Sequence, residues 1–163
     1  MATELRGERV VLRALTADDA GPLRAIHLTP EVTRWWGEME DAFPDDEPEA
    51  TRFAVLVDGR VAGMIQYGEE DEPAFRHAWV DIFLDPGVHG RGVGADAVAT
   101  LVRHLIEQRG HHRVTIDPAV ENEAAIRAYE KAGFQRVGVM RSAWRGPDGA
   151  WRDVLFMELV VSQ

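Results

Sequence analysis

Cysteine is absent from this chain of 163 residues. Its absence excludes a disulfide framework, a thiolate nucleophile and a thiolate metal site. The chain has no run of about eighteen apolar residues, so no membrane-spanning helix is expected. The first residues, Met1 to Arg6, lack the apolar core of a secretory signal peptide, and a cytoplasmic location is therefore expected.

Basic residues are scarce relative to acidic ones. The chain has 28 Asp and Glu residues against 18 Lys and Arg residues, which gives a formal net charge of -10. This balance argues against a nucleic-acid partner, because phosphate contacts need a basic face. It favours cationic partners through long-range steering. The six histidines show no spacing typical of metal ligands, so no catalytic metal is expected.

The acidic residues are concentrated in two stretches. Seven lie between Glu38 and Glu49, and four are consecutive from Glu69 to Glu72. Like charges this close repel one another, so both stretches are expected to be mobile, solvated loops. The simplest interpretation is a solubilising surface. If the loops flank a cleft, they would instead attract amines.

Hydrophobic periodicity predicts one domain over residues 1–163, with 45% apolar residues and no internal repeat. The predicted strands are 8–15, 52–57, 60–67, 76–84, 113–117, 134–141 and 152–160, and the predicted helices are 16–28, 31–36, 93–109 and 122–132. The Asp58-Gly59 pair between two apolar runs is typical of a hairpin turn. A helix crosses between the strands on either side of the glycine-rich loop, so those two strands should be parallel. The fold class is α/β (α+β), with a mixed, mostly antiparallel sheet.

A glycine-rich loop lies in the middle of the chain. It follows the apolar run Trp79–Leu84, contains glycines at 87, 90, 92 and 94, and opens a helical pattern at Val93. Such a turn presents bare backbone N–H groups beside the positive end of a helix dipole. The segment therefore predicts a strand, an anion-binding loop and a helix that together hold a phosphate-bearing ligand.

Two common phosphate loops fit this segment poorly. The P-loop needs Gly-Lys followed by Ser or Thr, and this loop has neither the lysine nor the hydroxyl. The dinucleotide fingerprint is nearly met by Gly90-x-Gly92-x-x-Ala95, with Asp117 further on. Its context is wrong, however, because a hairpin meander precedes the loop where a repeated strand–helix–strand half would be expected.

Two motifs in order resemble the GNAT superfamily of acetyl-coenzyme A dependent N-acetyltransferases. The family's pyrophosphate loop, Arg/Gln-x-x-Gly-x-Gly/Ala, stands here as His89–Gly94, with His in the first position and Arg91 as a substitute cation. A second element, Asn-x-x-Ala-x-x-x-Tyr-x-x-x-Gly-Phe, matches from Asn122 to Phe134. The resemblance implies a sheet of about seven strands flanked by about four helices, with acetyl-CoA as cosubstrate.

Within the superfamily, several segments resemble the aminoglycoside 6′-N-acetyltransferases: 33–37, 80–84, 116–122 and 125–134. The tail from Pro147 to Met157 is closer to generic family members. The resulting hypothesis is direct acetyl transfer to a primary amine of an aminoglycoside-like polycation, by a monomer or homodimer. The absence of cysteine fits direct attack. Two alternatives stay open: another small amine or peptide N-terminus as acceptor, and a non-catalytic sensor of a phosphate ligand.

Asp81 and Tyr129 are the candidate catalytic residues. Asp81 shares a strand face with Trp79 and Phe83, and large aromatic residues on that face favour a cleft wall over solvent. A carboxylate there can accept the proton of an incoming ammonium, and apolar neighbours would raise its pKa. The resemblance implies the same role for Asp81. It also implies that Tyr129 protonates the leaving thiolate, although an ordinary core tyrosine is the alternative. A pure sensor would need neither residue.

The resemblance also supplies the binding residues. It implies coenzyme contacts by Phe83, Leu84, His89, Gly90, Arg91, Gly92, Val93, Gly94, Ala95, Asn122 and Tyr129, with backbone N–H groups of the strand that bears Phe83 and Leu84 polarising the thioester carbonyl. Asn122 is also a predicted helix cap. The candidate substrate contacts are Trp35, Trp36, Asp81, Asp117 and Asp148. One of the two tryptophans is expected in the core, and Asp117 and Asp148 could equally be turn acids.

Overall fold

The computed structural model describes residues 4–45 and 49–162. In these ranges the strands are β1 (Glu4–Arg6), β2 (Val11–Ala14), β3 (Thr51–Val57), β4 (Arg60–Glu70), β5 (His77–Leu84), β6 (Arg113–Ile116), β7 (Gln135–Arg145) and β8 (Trp151–Val160). The α-helices are α1 (Ala20–His27), α2 (Pro30–Trp36), α3 (Val93–Glu107) and α4 (Glu123–Lys131). No helix in the described ranges is both long and apolar enough to cross a membrane.

The strands form one sheet in the order β1-β2-β3-β4-β5-β6-β8-β7. All neighbours are antiparallel except β5 and β6, which are parallel with α3 crossing between them. The mixed, mostly antiparallel architecture is therefore confirmed. The turn between β3 and β4 is also as predicted, because Asp58 and Gly59 have φ values of 51° and 77° and both adopt the left-handed conformation that a tight hairpin needs.

The sheet splits between its two parallel strands. β5 and β6 are paired at Ala78–Val114 and Trp79–Thr115. Beyond this point β5 stays paired with β4 as far as Leu84, whereas β6 ends at Ile116. A cleft therefore opens at the carboxyl ends of the two parallel strands, which is where α/β sheets commonly bind ligands.

Two apolar clusters cover opposite faces of the sheet. The larger packs α3 and α4 against one face, with Leu101 and Leu105 fully buried beside Val80. The smaller packs α1 and α2 against the other face and includes Met64 and Phe83. Because successive side chains of a strand point to opposite faces, β5 contributes to both clusters and fixes the position of the cleft wall.

The first predicted strand, 8–15, starts too early, and β1 was not predicted. Only Val11–Ala14 of that range forms a strand, β2, because a turn closed by Gly7 N–H to Val10 O at 2.9 Å separates it from β1. The backbone N–H groups of Glu8, Arg9 and Val10 all donate to the Asp96 carboxylate on α3. A contact across more than eighty residues, which local alternation cannot reveal, therefore interrupts the strand pattern.

The acidic stretches are also not simply solvated loops. In the first, Phe43 is buried, and its carbonyl accepts from Arg24 at 2.5 Å while Asp45 O accepts from Arg52 at 2.8 Å. In the second, Glu69 lies within β4 and pairs with Arg109 at 2.7 Å and His111 at 2.5 Å, which lowers the pKa of Glu69 to about 2. Asp46 and Glu47 lie outside the described residues.

Candidate active site

The cleft between β5 and β6 has a volume of about 950 Å³. Its walls come from α2, the end of β5, the glycine loop, the segment after β6, one face of α4, and the β7–β8 hairpin. Most of the predicted site residues meet here, although they come from positions 35 to 129 of the chain. Arg91 and Asp148 are the exceptions, since neither lines the cleft.

The glycine loop forms the floor at one end. Gly90 and Gly92 have φ values of 76° and 75°, and Gly92 is followed directly by the first residue of α3. A left-handed residue at these points turns the backbone so that its N–H groups face an incoming anion. His89 Nε2 donates to Leu84 O at 3.1 Å and ties the loop to β5. Arg91 is exposed on the outside of the loop.

Strand register determines which backbone groups of β5 face the opening. Asp85 N–H donates to Ala62 O at 2.7 Å on the β4 side. Backbone groups alternate along an antiparallel strand, so Phe83 N–H also points to β4, whereas those of Ile82 and Leu84 point into the gap. Trp36 Nε1, which donates to Ile82 O at 3.1 Å, agrees with this assignment. Leu84 N–H is thus directed at the cleft and Phe83 N–H is not.

Asp81 is half-buried in the cleft wall, on the same face of β5 as Phe83. One carboxylate oxygen accepts from Ile82 N–H at 3.0 Å. Protein atoms surround the carboxyl on every side except the cleft, and this burial, together with the nearby Asp117 carboxylate, raises the pKa of Asp81 to about 7. The group is therefore close to half-ionised at neutral pH, as a general base should be.

Asp117 and Tyr129 complete an ionisable cluster with Asp81. Asp117 follows β6 at the cleft mouth; it remains accessible, while partial burial raises its pKa. Tyr129 projects from α4 and is 7% exposed. Burial and the two carboxylates raise the pKa of its phenol, which therefore stays protonated. The cluster combines two proton acceptors with one retained donor.

The two tryptophans of α2 both line the cleft. Trp36 belongs to the smaller apolar cluster, with its ring 5.0 Å from that of Phe83, and its hydrogen bond to Ile82 O ties α2 to the strand that bears Asp81. Trp35 carries the Arg34 guanidinium 4.4 Å from its ring centroid. Trp36 is thus the core member of the pair. One face of Trp35 is already covered by a cation.

Asn122 and Asp148 have clear local roles. Asn122 Oδ1 accepts from Ala125 N–H at 3.3 Å, which confirms the predicted helix cap, and the residue also lines the cleft. Asp148 lies in the β7–β8 turn, where it pairs with Arg152 at 2.5 Å and accepts from Ala150 N–H at 3.1 Å. These are the contacts of a turn acid.

Four charged lining residues were not predicted from the sequence: Glu31, Arg34, Arg127 and Lys131. On α4, Ala124, Arg127, Ala128 and Lys131 follow the spacing of a single helix face. Arg127 and Lys131 are not at i±3 or i±4 from Ala125 or Tyr129, so the motif residues did not point to the two cations. The result is a polar cleft. Its charged lining includes the cations Arg34, Arg127 and Lys131 and the acids Glu31, Asp81 and Asp117.

A second cavity, of about 530 Å³, brings the two acidic stretches together. Glu49 from the first stretch and Glu69, Glu70 and Asp71 from the second all line it, beside Trp79. A side chain at Gly68 would overlap the Trp79 ring, so glycine there seats the indole against β4. Trp79 and Asp81 are two residues apart on one face of β5, so the acidic cavity lies along the same strand as the candidate base. Within the described ranges, no three His, Asp or Glu side chains are arranged to hold a metal ion.

The family model described as the acetyltransferase (GNAT) family matches residues 13–134. The chain belongs to this family. Membership confirms the predicted enzyme class, an acetyl-CoA-dependent N-acetyltransferase. The predicted resemblance to the GNAT superfamily is therefore confirmed. The cleft suits the cosubstrate, with an open glycine cradle for phosphate at one end and Asp81 and Tyr129 at the other.

Named relatives differ in their acceptors. The GNAT chain is 28% identical to the aminoglycoside N(6')-acetyltransferase type 1 of Klebsiella pneumoniae, over 87% of this chain and 80% of that protein. It is 26% identical to the spermine/spermidine N(1)-acetyltransferase of Bacillus subtilis, over 76% and 86% respectively. The structure of AAC(6')-Ib in complex with paromomycin and acetyl-CoA superposes with a TM-score of 0.76 at 25% identity, covering 94% of each chain.

Proposed function

We propose that this GNAT enzyme acetylates a primary amine of a polycationic, aminoglycoside-like acceptor. The observation that carries the proposal is the pair of carboxyls, Asp81 and Asp117, at the opposite end of the cleft from the phosphate-binding loop. A cationic acceptor entering there meets carboxylates beside the acetyl group. Similarity to aminoglycoside 6′ enzymes in sequence and in structure supports the same acceptor class.

Asp81 prepares the nucleophile. An amine attacks a thioester only when it is neutral, whereas amines near neutral pH are mostly ammonium ions. Asp81, with its pKa near 7, accepts the ammonium proton and leaves a lone pair on nitrogen. The N–C bond then forms at the acetyl carbonyl carbon and the C–S bond breaks. Asp117 holds the ammonium group at the correct side of the cleft.

Tyr129 supplies the proton for the leaving group. Its phenol stays protonated because burial and the nearby carboxylates disfavour phenolate. Tyr129 donates to the departing thiolate as the C–S bond breaks. The second proton, lost from the nitrogen as the amide forms, returns Tyr129 to the phenol, and Asp81 releases the first proton to solvent. Leu84 N–H, which faces the gap, donates to the thioester oxygen as negative charge develops there. Phe83 N–H cannot share this task, because it points to β4.

The acidic cavity beside Trp79 extends recognition along the acceptor. Its carboxylates come from both acidic stretches, and it lies on the strand that bears Asp81. An acceptor with several amines spaced along its length can place one at Asp81 and another near Glu70 and Asp71. A monoamine can engage only one of these regions.

A linear polyamine is the second candidate acceptor. The similarity to the spermine/spermidine enzyme and the shared acidic cavity favour it. An aminoglycoside offers flat ring faces and several hydroxyl groups, whereas a polyamine offers only charge and methylene surface. Trp35 would contribute more to the binding of an aminoglycoside, through stacking on its rings, than to the binding of a polyamine.

A thiol-release assay with acetyl-CoA tests the proposal directly. The acceptor panel contains kanamycin, paromomycin, spermidine, a monoamine and a peptide with a free N-terminus. We expect the highest kcat/KM for an aminoglycoside that carries a primary 6′-amine. Paromomycin has a hydroxyl at that position and should be inactive there. Faster turnover of spermidine or the peptide would reject the aminoglycoside assignment and leave the family assignment intact.

A further inference from the structure

The turn between β1 and β2 is hydrogen-bonded to α3, the helix that follows the glycine loop. Asp96, in the first turn of α3, accepts from Glu8 N–H at 3.1 Å, Arg9 N–H at 2.7 Å and Val10 N–H at 3.0 Å. Three N–H donors on one carboxylate form a strong, charge-assisted contact. Gly7 permits the close approach, because a Cβ there would lie 2.5 Å from Thr100 Oγ1.

These hydrogen bonds to Asp96 place the Arg9 side chain beside the glycine loop. A Cβ added at Gly92 would lie 3.4 Å from Arg9 Nε and 3.9 Å from Lys131 Nζ. The two cations thus converge on the same glycine, one from the β1–β2 turn and the other from the end of α4. Lys131 also lines the cleft. It is the single lysine of the whole chain.

Neither cation is neutralised within the described part of the chain. The ion pairs found there involve other bases, and neither Arg9 nor Lys131 has a carboxylate within ion-pair distance. Both side chains are exposed. In a chain of net charge -10, two unpaired cations beside a backbone anion cradle are a site of complementary charge for phosphate.

We propose that Arg9 and Lys131 form a cation clamp that binds the phosphates of acetyl-CoA over the glycine loop, and that Asp96 positions Arg9 in it. The clamp adds charge to a loop in which His89 is tied to Leu84 and Arg91 does not line the cleft. Arg9 does not line the cleft either, but its guanidinium reaches the loop at Gly92. It rests on acetyl-CoA as cosubstrate and is independent of which amine is the acceptor.

Calorimetry on the intact enzyme tests the clamp. The ligands are CoA, dephospho-CoA, which lacks the 3′-phosphate, and S-acetylpantetheine, which lacks all phosphates. We expect Arg9→Gln and Lys131→Gln each to raise the Kd for CoA about tenfold. Neither should change the Kd for S-acetylpantetheine. Arg103→Gln, on the exposed face of α3, removes the same charge away from the loop and should leave both Kd values unchanged.

Comparing CoA with dephospho-CoA identifies the phosphate that the clamp holds. Equal losses for CoA and dephospho-CoA assign the clamp to the pyrophosphate, and a loss for CoA alone assigns it to the 3′-phosphate. Either result supports the clamp. An unchanged Kd for CoA in the folded Arg9→Gln, Lys131→Gln double variant would overturn it, whatever acceptor the panel identifies.

The single lysine gives a second readout that does not depend on turnover. An amine-reactive label followed by peptide mass spectrometry reports Lys131 alone among side chains. Saturating CoA should slow its labelling several-fold, while S-acetylpantetheine should not. Equal labelling rates with and without CoA would show that Lys131 stays in solvent and would contradict the clamp.

A double-mutant cycle separates positioning by Asp96 from a general role in folding. Asp96→Asn should weaken CoA binding when Arg9 is present and cause little further loss in the Arg9→Gln background. It should leave the Kd for S-acetylpantetheine unchanged in both backgrounds. Additive losses, or a loss of S-acetylpantetheine binding, would show that Asp96 acts on the whole fold and would remove it from the proposal.

Discussion

At the residue scale, the Asp81 carboxyl lies where ionisation is unfavourable for the fold and, in the proposed mechanism, necessary for the reaction. Burial and Asp117 raise its pKa to about 7, well above the ordinary value of 3.8. The folded protein therefore binds a proton at Asp81 over a pH range in which the unfolded chain has lost it. As pH rises through this window, stability falls while the ionised fraction of the base increases.

Replacing Asp81 should separate its effect on stability from its effect on activity. Asp81→Asn should lower kcat by about 10²–10⁴ and leave CoA binding unchanged. The same change should raise Tm at a pH above 7, where wild type carries the buried charge, and have little effect near pH 4. Wild-type kcat/KM should rise with pH to a plateau above about 7. Stopped kinetic assays and thermal melts at several pH values provide the measurements.

Asp18→Asn is the matched control, since Asp18 is an exposed carboxylate outside the cleft. It should change neither the pH profile nor the pH dependence of Tm. If Asp81→Asn kept wild-type kcat at neutral pH, the base would be another group. A loss of activity without the stabilisation at high pH would mean that Asp81 is not destabilised by its surroundings.

Sequence reasoning reached individual residues where a local pattern carried the information. The position of Asp81 in the cleft wall could be predicted because aromatic residues flank it on one face of a strand, and that of Tyr129 because it lies in a spaced motif. Their catalytic roles stay predictions. Arg9 could not be predicted. Its position depends on Asp96, eighty-seven residues away, accepting its backbone N–H. The thioester contact was expected from backbone N–H groups of this strand, and only the register with β4 tells that Leu84 N–H faces the cleft whereas Phe83 N–H does not.

At the element scale, the loop from His89 to α3 depends on two residues with positive φ. Gly92→Val would force a β-branched side chain into φ of 75° and place it against Arg9 and Lys131. We expect the KM for acetyl-CoA to rise well beyond tenfold, with a smaller effect on kcat. Steady-state kinetics and CoA calorimetry measure the two effects.

Gly110→Val is the matched control for backbone strain. Gly110 has φ of 74°, a Cβ added there would meet no atom within 4 Å, and the residue lies at the far end of α3. This change should cost stability and leave the KM for acetyl-CoA unchanged. Equal KM effects from both substitutions would show that strain, and not the loss of an anion cradle, explains the Gly92 result.

Strands and helices could be predicted where the hydrophobic pattern and the residues that start or end the element are close together in the sequence. The Asp58-Gly59 hairpin, the start of α3 at the glycine loop and the Asn122 cap all follow this rule. β1 was missed because it is three residues long, and its pairing with β2 depends on a turn closed onto α3. Glu69 was assigned to a loop because it begins a run of four acidic residues. Within β4 its carboxylate is instead paired with Arg109 and His111.

At the scale of the whole molecule, negative and positive charges are concentrated at different places. The acidic place suits a cationic acceptor, and the basic place suits the phosphates of the coenzyme. Acidic groups from two stretches meet beside Trp79, while unpaired cations lie at the glycine loop. Exposed charges are screened over about 10 Å at 0.1 M salt. The kcat/KM for an aminoglycoside should therefore fall as salt rises, mainly through the association rate. A monoamine should respond much less.

The double variant Glu70→Gln, Asp71→Asn should reduce this salt dependence. The control Asp58→Asn keeps the Asp-Gly turn geometry as Asn-Gly and removes one exposed charge elsewhere. It should leave the salt dependence unchanged. Equal salt dependence for the aminoglycoside and the monoamine would assign the acidic cavity to solubility. The acetyltransferase assignment would survive that result.

The split between β5 and β6 leaves an unpaired strand edge inside the protein. Such an edge is a template for another strand and thus a liability for aggregation. Trp36 and His89 each occupy one inward carbonyl, at Ile82 and Leu84, and so reduce the number of groups that a foreign strand could bind. Residues that shape the acetyl-transfer cleft therefore also protect the apo protein, and their loss should promote self-association before any substrate is bound.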